Sequence, residues 1–150
     1  MPISASIEIA ASPKVVRAKF LDFSSLPTYH KGFFGSITAL NDNLDPGSKL
    51  RVVFQAAGQT MEPVIVENTP ACFAWRGSIP LLFTGAHYFR FERSQTLPGG
   101  THFVQEEVFS GALWFLMGEN VVARQMGFAD KTVKGWDGYN ADLKQTCEKK

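Results

Sequence analysis

Thr84-Gly85-Ala86-His87-Tyr88-Phe89-Arg90-Phe91-Glu92-Arg93 is followed, across Leu97-Pro98-Gly99-Gly100, by Thr101-His102-Phe103-Val104-Gln105-Glu106-Glu107-Val108-Phe109-Ser110. Two runs rich in aromatic and β-branched residues around a Pro-Gly turn read as a β-hairpin. In the first run His87, Phe89 and Phe91 share one face, against Ala86, Tyr88, Arg90 and Glu92. In the second, Phe103, Gln105, Glu107 and Phe109 oppose His102, Val104, Glu106 and Val108. The aromatic faces belong inside and the charged faces in solvent. Keeping them on one side of the sheet fixes the pairing to alternate registers, so His87 stands opposite Glu107 or diagonal to it. The same reasoning sets Trp75 of the preceding strand beside His87.

Outward from this hairpin, turn signals at Asp45-Pro46-Gly47, Ala57-Gly58 and Asn68-Thr69-Pro70 separate strands over 36–42, 49–57, 60–67 and 71–78. Ile3, Ala5, Ile7 and Ile9 alternate with Ser4, Ser6 and Glu8, which gives a first strand. Ser12-Pro13 then caps a short helix to about Phe23, Ser24–Pro27 breaks it, and a second short turn or helix carries Tyr29, His30, Phe33 and Phe34. At the other end Val122, Met126, Ala129, Val133, Trp136, Asn140 and Leu143 step by four and three along a helix of about 25 residues. The plan is α+β. A strongly bent, seven-stranded antiparallel sheet wraps on the long C-terminal helix, with two short helices after strand 1. A ligand fits between sheet and helix.

Composition narrows the function. The chain has 150 residues, one domain's length, and its 45% hydrophobic and 19% charged residues exclude a disordered chain. A net charge of +1 provides no field to steer nucleic acid. The longest uncharged stretch, Gly77–Phe89, is shorter than a membrane span. Glu8 interrupts any signal-peptide pattern, and Cys72 and Cys147 alone read as a reduced, cytoplasmic protein. Cys72 falls on the outward parity of its strand. No metal-ligand spacing, nucleophile elbow or phosphate loop occurs, so neither a metal nor an organic cofactor is expected. A homodimer is allowed.

The spacings Trp75-x-Gly77, Leu82-Phe83-x-Gly85-x-His87-x-Phe89 and Gly100-Thr101 through Gln105, Glu107, Phe109 and Gly111 resemble the START-like SRPBCC group, also called polyketide cyclase/dehydratase-like proteins. Ile7–Pro13 and Phe23 are similar to that group's first strand and helix. The resemblance runs from Ile3 to about Leu143 and implies a helix-grip (Bet v 1/START-like) fold. Such proteins include lipid carriers, hormone receptors and aromatase/cyclases, so fold alone does not choose among functions.

The expected cavity is lined by Trp75, Phe89, Phe91, Phe103, Gln105 and Phe109, facing Met126, Ala129 and Val133, and holds at least ~300 Å³. No Lys or Arg is assigned to the inward parity of the last three strands, so the ligand should be neutral and aromatic, isoprenoid or polyketide-like. Two readings of His87 and Glu107 stand side by side. They are a buried pair that satisfies its own hydrogen bonds in a binding protein. Alternatively, they are the acid and base of a cofactor-free cyclase, dehydratase or isomerase, with Tyr29 or His30 at the mouth. The apolar stretches Ile79–Phe83 and Ala112–Met117 suggest a greasy entrance or a docking surface.

Overall fold

Alternation over the N-terminal residues becomes strand β1 (Pro2–Ile9). Ser12 caps helix α1 (Pro13–Leu21), its Oγ accepting from Val15 N at 3.3 Å, with Pro13 in the first turn. The computed structural model describes residues 2–55, 58–79, 83–110 and 121–149, with side chains over 3–55, 58–78, 85–109 and 130–149. The break after α1 comes earlier than Ser24–Pro27. Asp22 leaves the helical region (φ −80°, ψ 71°), whereas Phe23–Ser25 winds as a 3₁₀ turn and Leu26–Tyr29 as helix α2. Pro27 sits in the first turn of α2, where a missing N–H is no loss. The second short element therefore ends at Tyr29. His30 is extended (φ −136°, ψ 131°), and Phe34 already opens β2 (Phe34–Ala39).

The remaining strands are β3 (Leu50–Phe54), β4 (Gln59–Met61), β5 (Val64–Asn68), β6 (Cys72–Ile79), β7 (Phe83–Arg93) and β8 (Thr101–Ser110). All pairings are antiparallel. Among the described residues they form a five-stranded sheet, β1-β8-β7-β6-β5, and a three-stranded one, β2-β3-β4, in place of one seven-stranded sheet. The cause is Pro63, which divides the run 60–67 because it has no N–H to give a ladder. Leu50 N donating to Pro63 O (3.0 Å), Ile65 N donating to Ser48 O (2.8 Å) and a Lys49–Val64 bridge still join the two sheets. Gly47 (φ 97°) and Gly99 (φ 74°) supply the left-handed backbone that the turns before β3 and β8 require.

Helix α3 (Val121–Glu148) packs on β1 and buries Thr132, Trp136, Tyr139, Asn140 and Leu143. Tyr139 and Thr132 widen the stripe read from the sequence. Antiparallel sheet and long C-terminal helix together match the helix-grip plan. Among the described residues no helix is long and apolar enough to cross a membrane. The core is built around Phe20 of α1. Its ring centroid lies 4.4 Å from Phe89, 5.6 Å from Phe73, 5.8 Å from Phe91 and 6.4 Å from Phe103.

Two glycines of α3 differ in a way that stability measurements will separate. A Cβ on Gly138 would meet nothing within 4 Å, so Gly138→Ala should gain about 0.5–1 kcal/mol in helix propensity. A Cβ on Gly135 would stand 2.4 Å from Phe33 Cδ2, and that ring is itself held 4.9 Å from Phe34 and 5.5 Å from Phe54. Gly135→Ala should therefore lose about 1–2 kcal/mol by overpacking despite the same propensity gain. Urea unfolding of the two variants that shifted both midpoints in one direction would contradict this packing.

Candidate functional site

Register places His87 of β7 directly opposite Glu107 of β8, and Trp75 of β6 directly opposite His87. All three are buried: His87 is 4% exposed and Glu107 7%. His87 stacks on Phe89 with centroids 4.1 Å apart, and its ring also lies 5.3 Å from Trp75 and 4.8 Å from Trp136 of α3. Glu107 Oε2 is 3.3 Å from His87 Nδ1. The carboxyl lies over Gly85, where a Cβ would come within 3.1 Å of Oε1. Gly85 thus makes room for the acid two residues before the histidine.

The other ring nitrogen decides the tautomer. His87 Nε2 is 3.0 Å from Gln105 Oε1. A carbonyl oxygen only accepts, so Nε2 carries the ring proton and Nδ1 presents a lone pair to Glu107. Gln105 Nε2 in turn donates to Asn140 Oδ1 of α3 at 2.7 Å. Burial keeps both titratable groups uncharged. It pushes His87 down to about 3, against a smaller upward pull from Gln105, and pushes the Glu107 carboxyl up to about 8. At neutral pH the pair is imidazole facing carboxylic acid, and Glu107 can donate to Nδ1.

Two buried side-chain atoms here, Trp136 Nε1 and Asn140 Nδ2, have no hydrogen-bond partner among the described residues, and Glu107 Oε2 gains one only as the protonated acid facing His87 Nδ1. Trp136 and Asn140 stand one turn apart on α3. Trp136 packs with Ile3, Ala5 and Phe109, beside half-buried Val133. Sequence reasoning placed Trp136 and Asn140 on the apolar stripe but assigned neither a role. An amide in the middle of a buried stripe was the available signal.

The other expected site residues are placed differently. Phe89, Phe91 and Phe103 pack around Phe20, so the wall they were expected to form is filled there and serves as core. Tyr29 is not free at a mouth. Its hydroxyl bonds Tyr139 Oη at 3.1 Å, and burial pushes it up to about 12. His30 does not join His87. It is 2% exposed, accepts from Phe34 N at 3.2 Å through Nε2, and donates through Nδ1 to Asp142 Oδ2 at 2.8 Å. It ties the entry of β2 to α3. Cys72, on the outward parity, is nevertheless buried, and its thiol is pushed up to about 11 chiefly by desolvation. His102 lies on the outer face and pairs with Glu8. Met126 and Ala129 belong to α3, but their side chains fall outside the described residues, as do residues 80–82 of the first apolar stretch and the whole of the second, 112–117.

A surface cleft of about 380 Å³ lies far from this pair in sequence, between Leu21–Ser24 and Ile37–Leu44. Asn41 and Asn43 there are occupied by Lys49 N, Asp45 N and Ser48 Oγ, so it offers no unpartnered buried group.

Solved structures share the architecture at low identity. The di-domain ARO/CYC BexL superposes with a TM-score of 0.78 at 16% identity, over 100% of this chain and 50% of its own. This chain therefore spans about half of that protein. The Zhui aromatase/cyclase from a Streptomyces species gives 0.70 at 13%, over 99% and 93% of the two chains. A START superfamily protein from Mycobacterium smegmatis gives 0.68 at 15%, over 97% and 98%. At these identities the likeness shows the fold alone. No curated protein matches in sequence. The family model for polyketide cyclase/dehydrase and lipid transport proteins does match, over residues 2–144, and the chain belongs to that family.

Proposed function

We propose that the chain binds a neutral aromatic or polyketide-like small molecule beside His87 and Glu107, with Trp75, Gln105 and Phe109 against it. The observation that carries this reading is a buried polar network among aromatic rings, uncharged at neutral pH, in which two N–H donors lack partners among the described residues. A core built only for stability leaves few such groups. On the described inward faces of β6, β7 and β8 no Lys or Arg is buried. Arg76 and Arg90 take the opposite parity, and Arg93, which shares the parity of His87, is exposed at the end of β7. An anionic head group would be buried without a counter-charge. Phe89, Phe91 and Phe103 support the site from the core. Native mass spectrometry of freshly purified protein should reveal a retained neutral apolar molecule. Selective retention of a phospholipid over neutral aromatics would overturn the ligand class.

A second reading is catalysis as a cofactor-free cyclase, dehydratase or isomerase. It is favoured by one observation, the Glu107 carboxyl raised to about 8, close to where a general acid works best at neutral pH. In it Glu107 gives or takes the proton, and His87 holds the acid through Nδ1. Tyr29 and His30 take no part, being bonded elsewhere.

A further inference from the structure

The hydrogen bonds of the site run in one direction. His87 Nε2–H donates to Gln105 Oε1 and Gln105 Nε2–H donates to Asn140 Oδ1, with the Glu107 carboxyl 3.3 Å from His87 Nδ1 at the head of the series. Each donor polarises the next group, so the series delivers its donor character to Asn140 Nδ2. That N–H has no acceptor among the described residues, and neither has Trp136 Nε1, one helical turn before it. Both side chains are 1% exposed. Two buried N–H groups on one face of α3 call for an oxygen that the described residues do not supply.

We propose that Trp136 and Asn140 form an oxygen-recognition site, their unpartnered N–H groups donating to a carbonyl oxygen of the bound molecule. This rests on the ligand reading above and narrows it: the ligand is an aromatic ketone or polyketone, not a hydrocarbon. A hydrocarbon would leave both donors unmet in a low-dielectric interior, where an unmade hydrogen bond is most costly. A ligand that offered only donors would meet two further donors. Trp136 and Asn140 are positioning and specificity residues here; the acid/base pair is a separate part of the site.

The probes that test this are 2-acetylnaphthalene and 2-ethylnaphthalene, nearly equal in shape and different in one oxygen, measured by equilibrium dialysis with the full chain. The wild-type protein should hold the ketone about tenfold more tightly than the hydrocarbon. Trp136→Phe keeps the ring and removes the N–H. It should weaken ketone binding about fivefold and leave the hydrocarbon within about twofold. Asn140→Leu removes the second donor together with the oxygen that Gln105 Nε2 donates to, so there the ketone should be lost more than the hydrocarbon while both weaken. The ketone-to-hydrocarbon ratio separates recognition from a structural role, because a loosened fold weakens both probes together. Equal binding of both probes by the wild-type protein, or parallel losses in the variants, would mean that water satisfies these donors, and the oxygen site would fall while ligand binding stood. Binding of neither probe would remove the ligand reading and this inference with it.

Discussion

Replacing Phe20 with alanine should lower stability by about 3–5 kcal/mol, among the largest losses expected of a single core substitution here. The ring is 1% exposed and touches rings from four other elements: Phe73 of β6, Phe89 and Phe91 of β7, Phe103 of β8 and Tyr139 of α3. Those partners cannot close the space. Three of the four elements are strands fixed by continuous ladders, β6–β7 and β7–β8. Removing the ring therefore costs both its transfer from water and the cavity left behind. In a chain of this length such a loss lowers the melting temperature by roughly 10 °C. Phe20→Leu, which keeps most of the volume, should lose about a third as much. A Phe20→Ala midpoint within about 1 kcal/mol of wild type would show that α1 can settle into the gap and that Phe20 is not the hub.

The hairpin was legible because its signal is local. Period two sorts Phe103, Gln105, Glu107 and Phe109 from their neighbours, and one turn then fixes the register, so the His87–Glu107 pairing needed no tertiary information. Burial followed the predicted parity on β7 and β8. What failed was also local in cause. Pro63 breaks a run that reads as one strand, and Pro27 begins a helix where it reads as a stop. In each case one proline was given its commoner meaning, and the chain used the other.

The rest of the site depends on how distant segments dock. Gln105 and Asn140 are 35 residues apart, and His30 and Asp142 are 112 apart. Nothing in a periodic pattern says which turn of α3 lies over which residue of β8. His30 therefore read as a residue at the cavity mouth, although packing buries it against α3. The filled wall at Phe89, Phe91 and Phe103 has the same origin. Parity shows that these rings point inward, but not that Phe20 arrives from α1 to meet them.

Glu107→Gln should produce two effects that together separate a catalyst from a binding protein. The first is on stability and applies to both. Burial raises Glu107 to about 8 from 4.5, so the folded protein keeps a proton that the unfolded chain gives up. The stability this contributes is full below pH 4.5 and is lost as pH rises to about 8. His87 is lowered to about 3 from 6.5, so its contribution is full above pH 6.5 and is lost as pH falls toward 3. Between 4.5 and 6.5 the two slopes oppose each other, and above 6.5 only Glu107 remains. Stability of the wild-type protein should then decline by about 1.4 kcal/mol per pH unit until pH nears 8. In Glu107→Gln that alkaline decline should vanish and the acid-side decline from His87 should stay. An unchanged alkaline slope in the variant would mean that Glu107 is not a buried neutral acid, and the catalytic reading would go with it. The second effect is on turnover. Glutamine keeps the shape and can donate to His87 Nδ1, but it cannot give up or regain a proton. If the molecule retained on purification is a substrate, the variant should bind it within a few-fold of wild type and turn it over 10²–10⁴-fold more slowly, about the contribution of one general acid/base group. Retention of the ligand unchanged by the wild-type protein would leave Glu107 with the first effect only, as the group that keeps a binding site neutral.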